Sequence, residues 1–243
     1  MGPFILLNIT LSSTQNIFFS SDQHFGHKNV IKFCQRPFDD IKLMNQALID
    51  NWNSVVTNDD IVVTMGDLFW FNDSQAIKKC ISKLNGKEIY IVLGNHDKYE
   101  SFHRVTDERF HIIDGISHIY LRCEDKERWE KPTYEIVCSH YPLMTWSHRD
   151  KGAINLFGHI HSGPTTQCDV DQDLPLWKGA MLDVGVDNQN YTPIKWKNKP
   201  LKEIYYFNLY AIRPLDKSYG LISIFTLSPT SNRMLLILIL PDI

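Results

Sequence analysis

Short apolar runs, each followed at once by polar residues, are the dominant pattern of this chain. Six such runs are rich in β-branched and aromatic residues, at positions 17–20, 61–65, 89–93, 134–138, 153–157 and 181–184. Near-continuous apolarity over so few residues is typical of strands that are buried on both faces. The pattern therefore predicts six buried strands, each with polar side chains just beyond its carboxyl end.

Helical spacing appears between the early runs. In the segment Asp40–Val55, apolar residues recur three and four positions apart, which predicts an amphipathic helix. Asp73 is the predicted N-cap of a second helix that continues to about Leu84, where Asn85-Gly86 ends it. The order strand, helix, strand, helix, strand predicts a layered α/β fold to about residue 95, followed by a strand-rich part that favours a mixed or two-sheet sandwich.

A change in composition marks a domain boundary. The segment 195–202 is lysine-rich, and strand-like aromatic and aliphatic runs without a chemical motif follow it. We predict one catalytic domain over residues 1–194 and a C-terminal extension, residues 195–243, packed on the core. With 43% hydrophobic and 22% charged residues, the chain has the composition of a globular protein, not of a disordered one.

Charge and cysteine content limit the functional classes. The net charge of -3 gives no general attraction to nucleic acid or to anionic membranes. The five cysteines are odd in number and form no C-x-x-C pair, which argues against a disulfide framework and favours a reducing compartment. No apolar run has the length of a membrane span, and none has the features of a signal peptide. We therefore expect a cytoplasmic protein without membrane contacts.

Residues that can bind metals follow five of the predicted strands. They are Asp22-Gln-His24, Gly66-Asp67, Gly94-Asn95-His96-Asp97, Ser139-His140 and Gly158-His159-Ile-His161. Each fragment alone could be a turn or a chance pair, but ligand sites form beyond the carboxyl ends of strands in open α/β sheets. On extended backbone, side chains two residues apart point to the same face, so each Asp-x-His or His-x-His pair is predicted to bind one ion together. Imidazoles and carboxylates without thiolates favour manganese, iron, zinc or nickel over calcium.

These five motifs, in this order, resemble the calcineurin-like metallophosphoesterase superfamily. The flanking sequences Phe25-Gly-His-Lys-Asn29, Arg36-Pro-Phe38 and Asp183-Val-Gly-Val-Asp187 are similar to those of its small bacterial and phage members. The resemblance covers about residues 17–188. It implies an α/β fold in four layers, α/β/β/α, in which helices flank a sandwich of two mixed β-sheets.

The resemblance also implies a role for each motif residue. The residues implied for the first ion are Asp22, His24 and His161, those for the second ion are Asn95, His140 and His159, and the bridging residue is Asp67. His96 is implied as the acid that assists the leaving group, with Asp97 as its orienting partner. Two divalent metal ions are expected, manganese before iron, zinc or nickel, and a hydroxide between them would attack a phosphoester.

Other residues are candidate substrate contacts. His27 and Arg36 are predicted to bind the substrate phosphate, although a loop position for His27 and a salt bridge for Arg36 are alternatives. Trp146 could wall the cleft and stack on a base, or simply pack. The run Lys195–Lys202, with Trp196 inside it, could bind nucleic acid or form a solvated hinge.

We therefore expect a phosphodiesterase or phosphatase acting on a small phosphoester or nucleotide. A metal-dependent nuclease acting on DNA or RNA is the first alternative, favoured only by the lysine run. An inactive member of the fold that binds proteins is the second. The sequence does not determine the oligomeric state.

Overall fold

The computed structural model describes residues 5–124, 134–161 and 181–196, and the backbone of the strands Ile222–Leu227 and Met234–Ile239. The chain consists of two compact units, Met1–Trp196 and Lys197–Ile243. In the second unit the two described strands, β11 and β12, pair antiparallel. The packing of the C-terminal extension on the core stays a prediction.

Two five-stranded sheets form the centre of the first unit. The strands are β1 Ile5–Leu11, β2 Ile17–Ser20, β3 Ile61–Thr64, β4 Glu88–Val92, β5 Phe110–Ile113, β6 Ser117–Cys123, β7 Tyr134–Cys138, β8 Ile154–Phe157, β9 Met181–Asp183 and β10 Ile194–Lys195. Sheet A has the order β1-β6-β7-β8-β9 and sheet B the order β10-β2-β3-β4-β5. Only β6/β7 in sheet A and β10/β2 in sheet B are antiparallel. The predicted α/β sandwich of two mixed sheets flanked by helices is confirmed.

Within the described residues, four helices accompany the strands. They are α1 Lys28–Phe33, α2 Ile41–Val55, α3 Ser74–Ile81 and α4 Tyr99–His103. The carboxylate of Asp40 accepts hydrogen bonds from two backbone amides in the first turn of α2, and Asp73 does the same for α3. Each such cap contributes about 1 kcal/mol, which explains why both predicted helices begin where they do. None of the helices within the described ranges has the length and apolarity needed to cross a membrane.

Strands β2 and β3 of sheet B are buried on both faces, as their near-continuous apolar runs predict. Phe18 and Val62 belong to a hydrophobic cluster that includes Trp52 of α2. Their neighbours Phe19 and Val63 point to the opposite face, because side chains alternate along a strand. These two are equally buried, at 2% and 0% exposure. A strand in this position has no solvent face, so its sequence shows no alternation of polar and apolar residues.

The strand register brings the five motifs to one edge of the sandwich. Strands β2, β3 and β4 run parallel in sheet B, and β7, β8 and β9 run parallel in sheet A. The carboxyl ends of parallel strands lie side by side. A parallel bridge between Ser21 and Gly185 links the segments that follow β2 and β9. The loops that carry the candidate ligands therefore start from neighbouring points.

The two tryptophans that could stack on a base are buried. Trp146 donates from Nε1 to the carbonyl oxygen of Ala153 at 2.8 Å and packs against Val137. Trp196 makes edge contacts with Phe19 and Tyr134, with ring centroids 5.9 and 5.6 Å away. Neither ring is free to stack on a ligand, so the stacking alternative was wrong for both residues, and the packing alternative holds for Trp146. The remainder of the lysine run, residues 197–202, lies outside the described residues.

Candidate metal centre

Sharp turns directly after the strands orient most of the candidate ligands. Five of the seven have left-handed backbone, with φ of 61° for Asp22, 54° for His24, 51° for Asp67, 72° for His159 and 47° for His161. This conformation costs about 1–3 kcal/mol per residue outside glycine and is concentrated at functional sites. The extended backbone expected for the two pairs was therefore wrong, although Asp22 and His24 still belong to one group of ligands. Because of these turns, His159 and His161 enter different groups of ligands.

The first group consists of Asp22, His24 and His161. Each offers one ligand atom, and these atoms lie within 4.8 Å of one another. The rings of His24 and His161 stack with centroids 5.1 Å apart. Three residues from two loops, separated by more than 130 positions in the sequence, thus face one point.

The second group consists of Asn95, His140 and His159. The Asn95 Oδ1 atom lies 2.7 Å from His140 Nε2 and 3.0 Å from His159 Nδ1, and the two nitrogens are 3.2 Å apart. Two ligands that bind one ion at about 2.1 Å and at a right angle are about 3.0 Å apart. The mutual distances of the three atoms therefore match those of ligands around a single transition-metal ion.

Asp67 lies between the two groups. Its Oδ2 atom is 3.7 Å from His24 Nε2 in the first group and 3.6 Å from His140 Nε2 in the second. Its side chain is 2% exposed, so water does not screen its charge. Two dications a few ångströms apart repel each other strongly unless an anion lies between them. The position of Asp67 is the position that a bridging carboxylate requires.

Buried polar atoms without hydrogen bonds test whether these residues fit metal ions. Among the described residues, Asp22 Oδ1 and both ring nitrogens of His24 are buried without a hydrogen-bond partner. Burial raises the pKa of Asp22 to about 7 and lowers the pKa of His24 well below its usual value. Such orphaned atoms are costly in a protein unless an ion satisfies them. The donor set and its unpaired atoms fit a cation at this position.

Hydrogen bonds from the far side of two imidazoles select the nitrogen that faces the centre. His140 Nδ1 lies 2.7 Å from the carbonyl oxygen of Met65, which requires Nδ1 to carry the proton. His161 Nδ1 lies 2.7 Å from Asp187 Oδ2. Burial alone would lower the pKa of His161, but its hydrogen bonds to Asp187 and Cys34 raise it to about 11. Such outer contacts fix the tautomer and the ring orientation of metal-ligating histidines.

Arg36 is not placed to bind a substrate phosphate, so that hypothesis was wrong. Its guanidinium is fully buried and donates from Nε and Nη2 to both carboxylate oxygens of Asp187, at 2.8 and 2.7 Å. The remaining N–H groups donate to the carbonyl oxygens of Asp22 and Gln23 and to the sulfur of Met44. All five donors are occupied. Arg36 therefore holds Asp187, which in turn orients His161.

Asp97 has a different partner from the one expected. Its Oδ2 atom accepts hydrogen bonds from the backbone amides of Asp67 and Gly94, both at 2.8 Å. Its Oδ1 atom is buried without a hydrogen bond, so Asp97 does not bond to the ring of His96. Burial raises the pKa of Asp97 to about 7. Asp97 therefore links the backbones of the two loops that carry Asp67 and Asn95. This contact contradicts a role as the orienting partner of His96.

His96 and His27 lie beside the two ligand groups. The side chain of His96 is 41% exposed, and its Nε2 atom is 3.9 Å from Asp67 Oδ2. The ring of His27 is 5.2 Å from that of His24 and stacks on Trp70 at 3.6 Å. Burial lowers the pKa of His27 to about 4. Its contact with a substrate phosphate stays a prediction.

Three residues of this site have no predicted role in the sequence. Asp187 orients His161 but lies 26 positions from it and 151 from Arg36, and no spacing rule connects them. Trp70 and Tyr141 are exposed aromatic residues, at 41% and 50%, next to ligand histidines. Two of the three had a local signal: Tyr141 directly follows His140, and Asp187 ends the flanking sequence Asp183–Asp187 that resembles the family.

Comparison with known proteins identifies a family. The family model for calcineurin-like phosphoesterases matches residues 16–222. The uncharacterized protein MJ1445 of Methanocaldococcus jannaschii is 32% identical over 75% of this chain and 88% of its own length. The gene 66 proteins of the mycobacterium phages L5 and D29 are 27% and 26% identical, each over 60% of this chain and 78% or 79% of their own lengths.

A solved structure supports the fold alone. It is a protein of unknown function, AQ665, from Aquifex aeolicus, with a TM-score of 0.54 and 21% identity. The match covers 80% of this chain and 100% of that one. The matched residues of the family model include both sheets except β1, and all seven candidate ligands. The chain belongs to the calcineurin-like phosphoesterase family.

Proposed function

We propose that this protein is a dinuclear metal-dependent phosphoesterase that acts on a small, nucleotide-like phosphoester. One observation carries the proposal: two groups of three ligands meet at a single buried carboxylate, Asp67. In the first group Asp22, His24 and His161 would hold one ion, and in the second Asn95, His140 and His159 would hold the other. Family membership supports metal-dependent phosphoester hydrolysis in general.

The composition of the ligands suits this chemistry. Two bound dications would neutralise the negative charge of the phosphoryl oxygens and would acidify a coordinated water molecule. Asn95 contributes a neutral oxygen in place of a third carboxylate, so the ligand set carries few negative charges. The centre can then attract an anionic phosphate. Nitrogen and carboxylate ligands suit manganese, with iron, zinc and nickel as alternatives.

His96 is our candidate for the proton donor to the leaving oxygen. Its backbone amide donates to Asp67 Oδ1 at 3.0 Å, which fixes the start of the side chain next to the bridge. The ring itself is 41% exposed and can reach a substrate from the solvent side. Imidazole is the side chain that most often serves as a general acid in enzymes working at neutral pH.

Two exposed aromatic residues support a substrate with a planar group. Trp70 lies beside the first group, with its ring centroid 6.2 Å from that of His24 and 4.8 Å from that of His96. Tyr141 lies beside the second group, 4.4 Å from His159 and 5.0 Å from His140. Stacking of a base on an aromatic side chain contributes about 1–3 kcal/mol. A nucleoside ester bound at the centre would have such a surface on either side.

The first experiment tests hydrolysis and the metal requirement. The full chain is depleted with a chelator, reconstituted with Mn²⁺ and assayed with bis-p-nitrophenyl phosphate. We expect turnover only with added metal, none for Asp67→Ala, and a lower kcat with near-normal metal content for His96→Ala. If His96→Ala lost its metal, the role assigned to His96 would be wrong. If the reconstituted protein hydrolysed no phosphoester at all, the inactive scaffold would be the better account.

The second experiment tests the substrate class. The p-nitrophenyl ester of thymidine 5′-phosphate and methyl p-nitrophenyl phosphate share a leaving group, and only the first carries a base. We expect Trp70→Ala to raise KM about 5- to 150-fold for the thymidine ester and to leave the methyl ester nearly unchanged. Met144→Ala is the control, because Met144 is 80% exposed and lies three positions after Tyr141. Efficient cleavage of DNA or RNA at low salt would favour the nuclease instead.

A further inference from the structure

A second cluster of metal-capable side chains lies in sheet A and shares no residue with the centre described above. It consists of His118 on β6, Glu135 on β7 and His148, which precedes a short 3-10 turn at Arg149–Lys151. One ligand atom from each lies within 4.8 Å of the others. The Glu135 Oε2 atom is 3.3 Å from His118 Nε2 and 2.5 Å from His148 Nδ1.

Strand register explains how the three residues meet. In the antiparallel pair β6/β7, His118 is opposite Val137 and Tyr120 is opposite Glu135, so His118 and Glu135 occupy diagonal positions on one face. The buried Ile119 and Ile136 point to the other face. His148 reaches the pair from the loop before β8, the other neighbour of β7 in the sheet.

One nitrogen of this cluster is buried without a hydrogen bond. His118 has a side-chain exposure of only 8%, and its Nε2 atom faces Glu135 without meeting the geometry of a hydrogen bond. The ring stacks on Tyr120 at 4.7 Å and is nearly perpendicular to that of His148, at 72°. A buried imidazole nitrogen with this orientation is costly unless it has a partner. A cation between the three side chains would satisfy it.

We propose that His118, Glu135 and His148 bind one transition-metal dication of the Zn²⁺ type. Two imidazoles and one carboxylate form a common zinc ligand set, in which water completes the tetrahedron. Ligands about 2.0–2.1 Å from a tetrahedral ion are about 3.3–3.4 Å apart, which the distance from His118 Nε2 to Glu135 Oε2 already matches. Glu135 and His148 are 27% and 37% exposed, so a modest movement of either opens the shorter contact.

Another histidine–glutamate pair of similar exposure serves as the matched control. His111 and Glu88 lie on adjacent strands of sheet B, with side-chain exposures of 38% and 33%. They form an ion pair, and the ring of His111 stacks on Tyr90. They belong to none of the three-residue clusters found among the described residues. A bare pair of this kind cannot chelate an ion as three ligands can.

The experiment measures tightly bound Zn²⁺ on the full chain. Metal-depleted wild type, His148→Ala, Glu135→Gln and His111→Ala are each loaded with Zn²⁺, passed over a desalting column and measured by plasma mass spectrometry. We expect His148→Ala and Glu135→Gln to retain one zinc fewer per chain than wild type, and His111→Ala to retain the same number. Loss of an outer contact of a metal site already lowers metal affinity about tenfold, so loss of a ligand should lower the affinity for this zinc by at least that much. Both targeted side chains are partly exposed, so we expect each variant to fold, and circular dichroism will test this.

The difference of one zinc does not depend on how many ions the main centre binds, so failure of the proposed function would leave this test intact. Co²⁺ provides a second measurement, because a tetrahedral site adds visible absorption that His148→Ala should remove. The proposal is overturned if the two variants retain as much zinc as wild type, with equal affinity. It is also overturned if His111→Ala loses the same amount, since the loss would then reflect general surface binding.

Discussion

Removal of the Arg36 side chain tests whether this residue is structural or binds substrate. Arg36→Ala would leave the carboxylate of Asp187 buried beside His161 without its guanidinium partner, and it would free two backbone carbonyl oxygens. Breaking a buried ion pair by removing one partner costs about 3–5 kcal/mol. For a folded unit of this size, 1 kcal/mol corresponds to about 2–4 °C in Tm, so we expect Tm to fall by about 6–20 °C.

Thermal and urea unfolding of the purified chain measure this loss. Arg36→Lys should recover only part of the stability, because an ammonium group cannot bond to both oxygens of Asp187 and to two carbonyl groups at once. Arg109→Ala is the matched control. Arg109 also pairs with an aspartate, Asp107, and bonds to loop carbonyls, but its side chain is 30% exposed. We expect its replacement to cost about 1–2 kcal/mol.

Enzyme kinetics separate the two roles of Arg36. If the residue acts through Asp187 and His161, the variant loses stability and metal affinity, and the KM of the fully metal-loaded fraction changes little. A substrate contact gives the reverse pattern. An Arg36→Ala protein with wild-type Tm and a strongly raised KM would refute the structural role of this residue.

Three further predictions concern the ligand loops and the core. Gly94→Ala should lower the bound metal measured by plasma mass spectrometry, because the added Cβ would lie 2.2 Å from Asp67 Oδ1. Gly152→Ala is the control, because its Cβ would meet no atom within 4 Å. We expect it to cost only about 1–2 kcal/mol of stability, through its φ of +97°. Asp97→Ala should lower the free energy of unfolding by about 1.5–3 kcal/mol, since two backbone amides lose a charged acceptor, and Asp97→Asn should cost less because it keeps an acceptor oxygen; equal losses in urea unfolding would contradict this. Trp52→Ala should cost about 3–5 kcal/mol in the same assay, because the ring is 1% exposed and lies within the cluster between α2 and sheet B; a loss below about 1 kcal/mol would show that the cluster does not depend on it.

Local sequence was sufficient for the strands that carry the ligands. A strand buried on both faces is apolar at nearly every position, so β2, β3 and β8 are visible as near-continuous runs, with Ser20, Thr64 and Asn155 as their polar residues. The N-caps Asp40 and Asp73 were equally visible, because a cap depends on residues within one turn. Strands β5, β6 and β10 were missed, and so was β1. Its side chains alternate between buried and exposed at an edge of sheet A, which leaves a weaker apolar signal.

The grouping of the ligands needed more than spacing. The i, i+2 rule assumes extended backbone, but the ligand loops turn sharply through left-handed residues. Resemblance to the family separated His159 from His161, and the structure brings each of them to the group that the resemblance implies. Spacing alone had placed them on one ion. The i, i+2 rule failed for His159 and His161 because β8 ends at Phe157, and both histidines lie in the turn that follows it.

What the sequence determined by itself is the strands that precede the ligands, the capped helices and the chemistry at the strand ends, because each depends on a few neighbouring residues. What only the tertiary structure decided is the environment of each polar or aromatic side chain. Arg36 and Trp146 have the same local appearance whether they face a substrate or a core. Burial and partners from distant segments, such as Asp187 for Arg36, determine their roles, and those contacts exist only after the sheets have assembled.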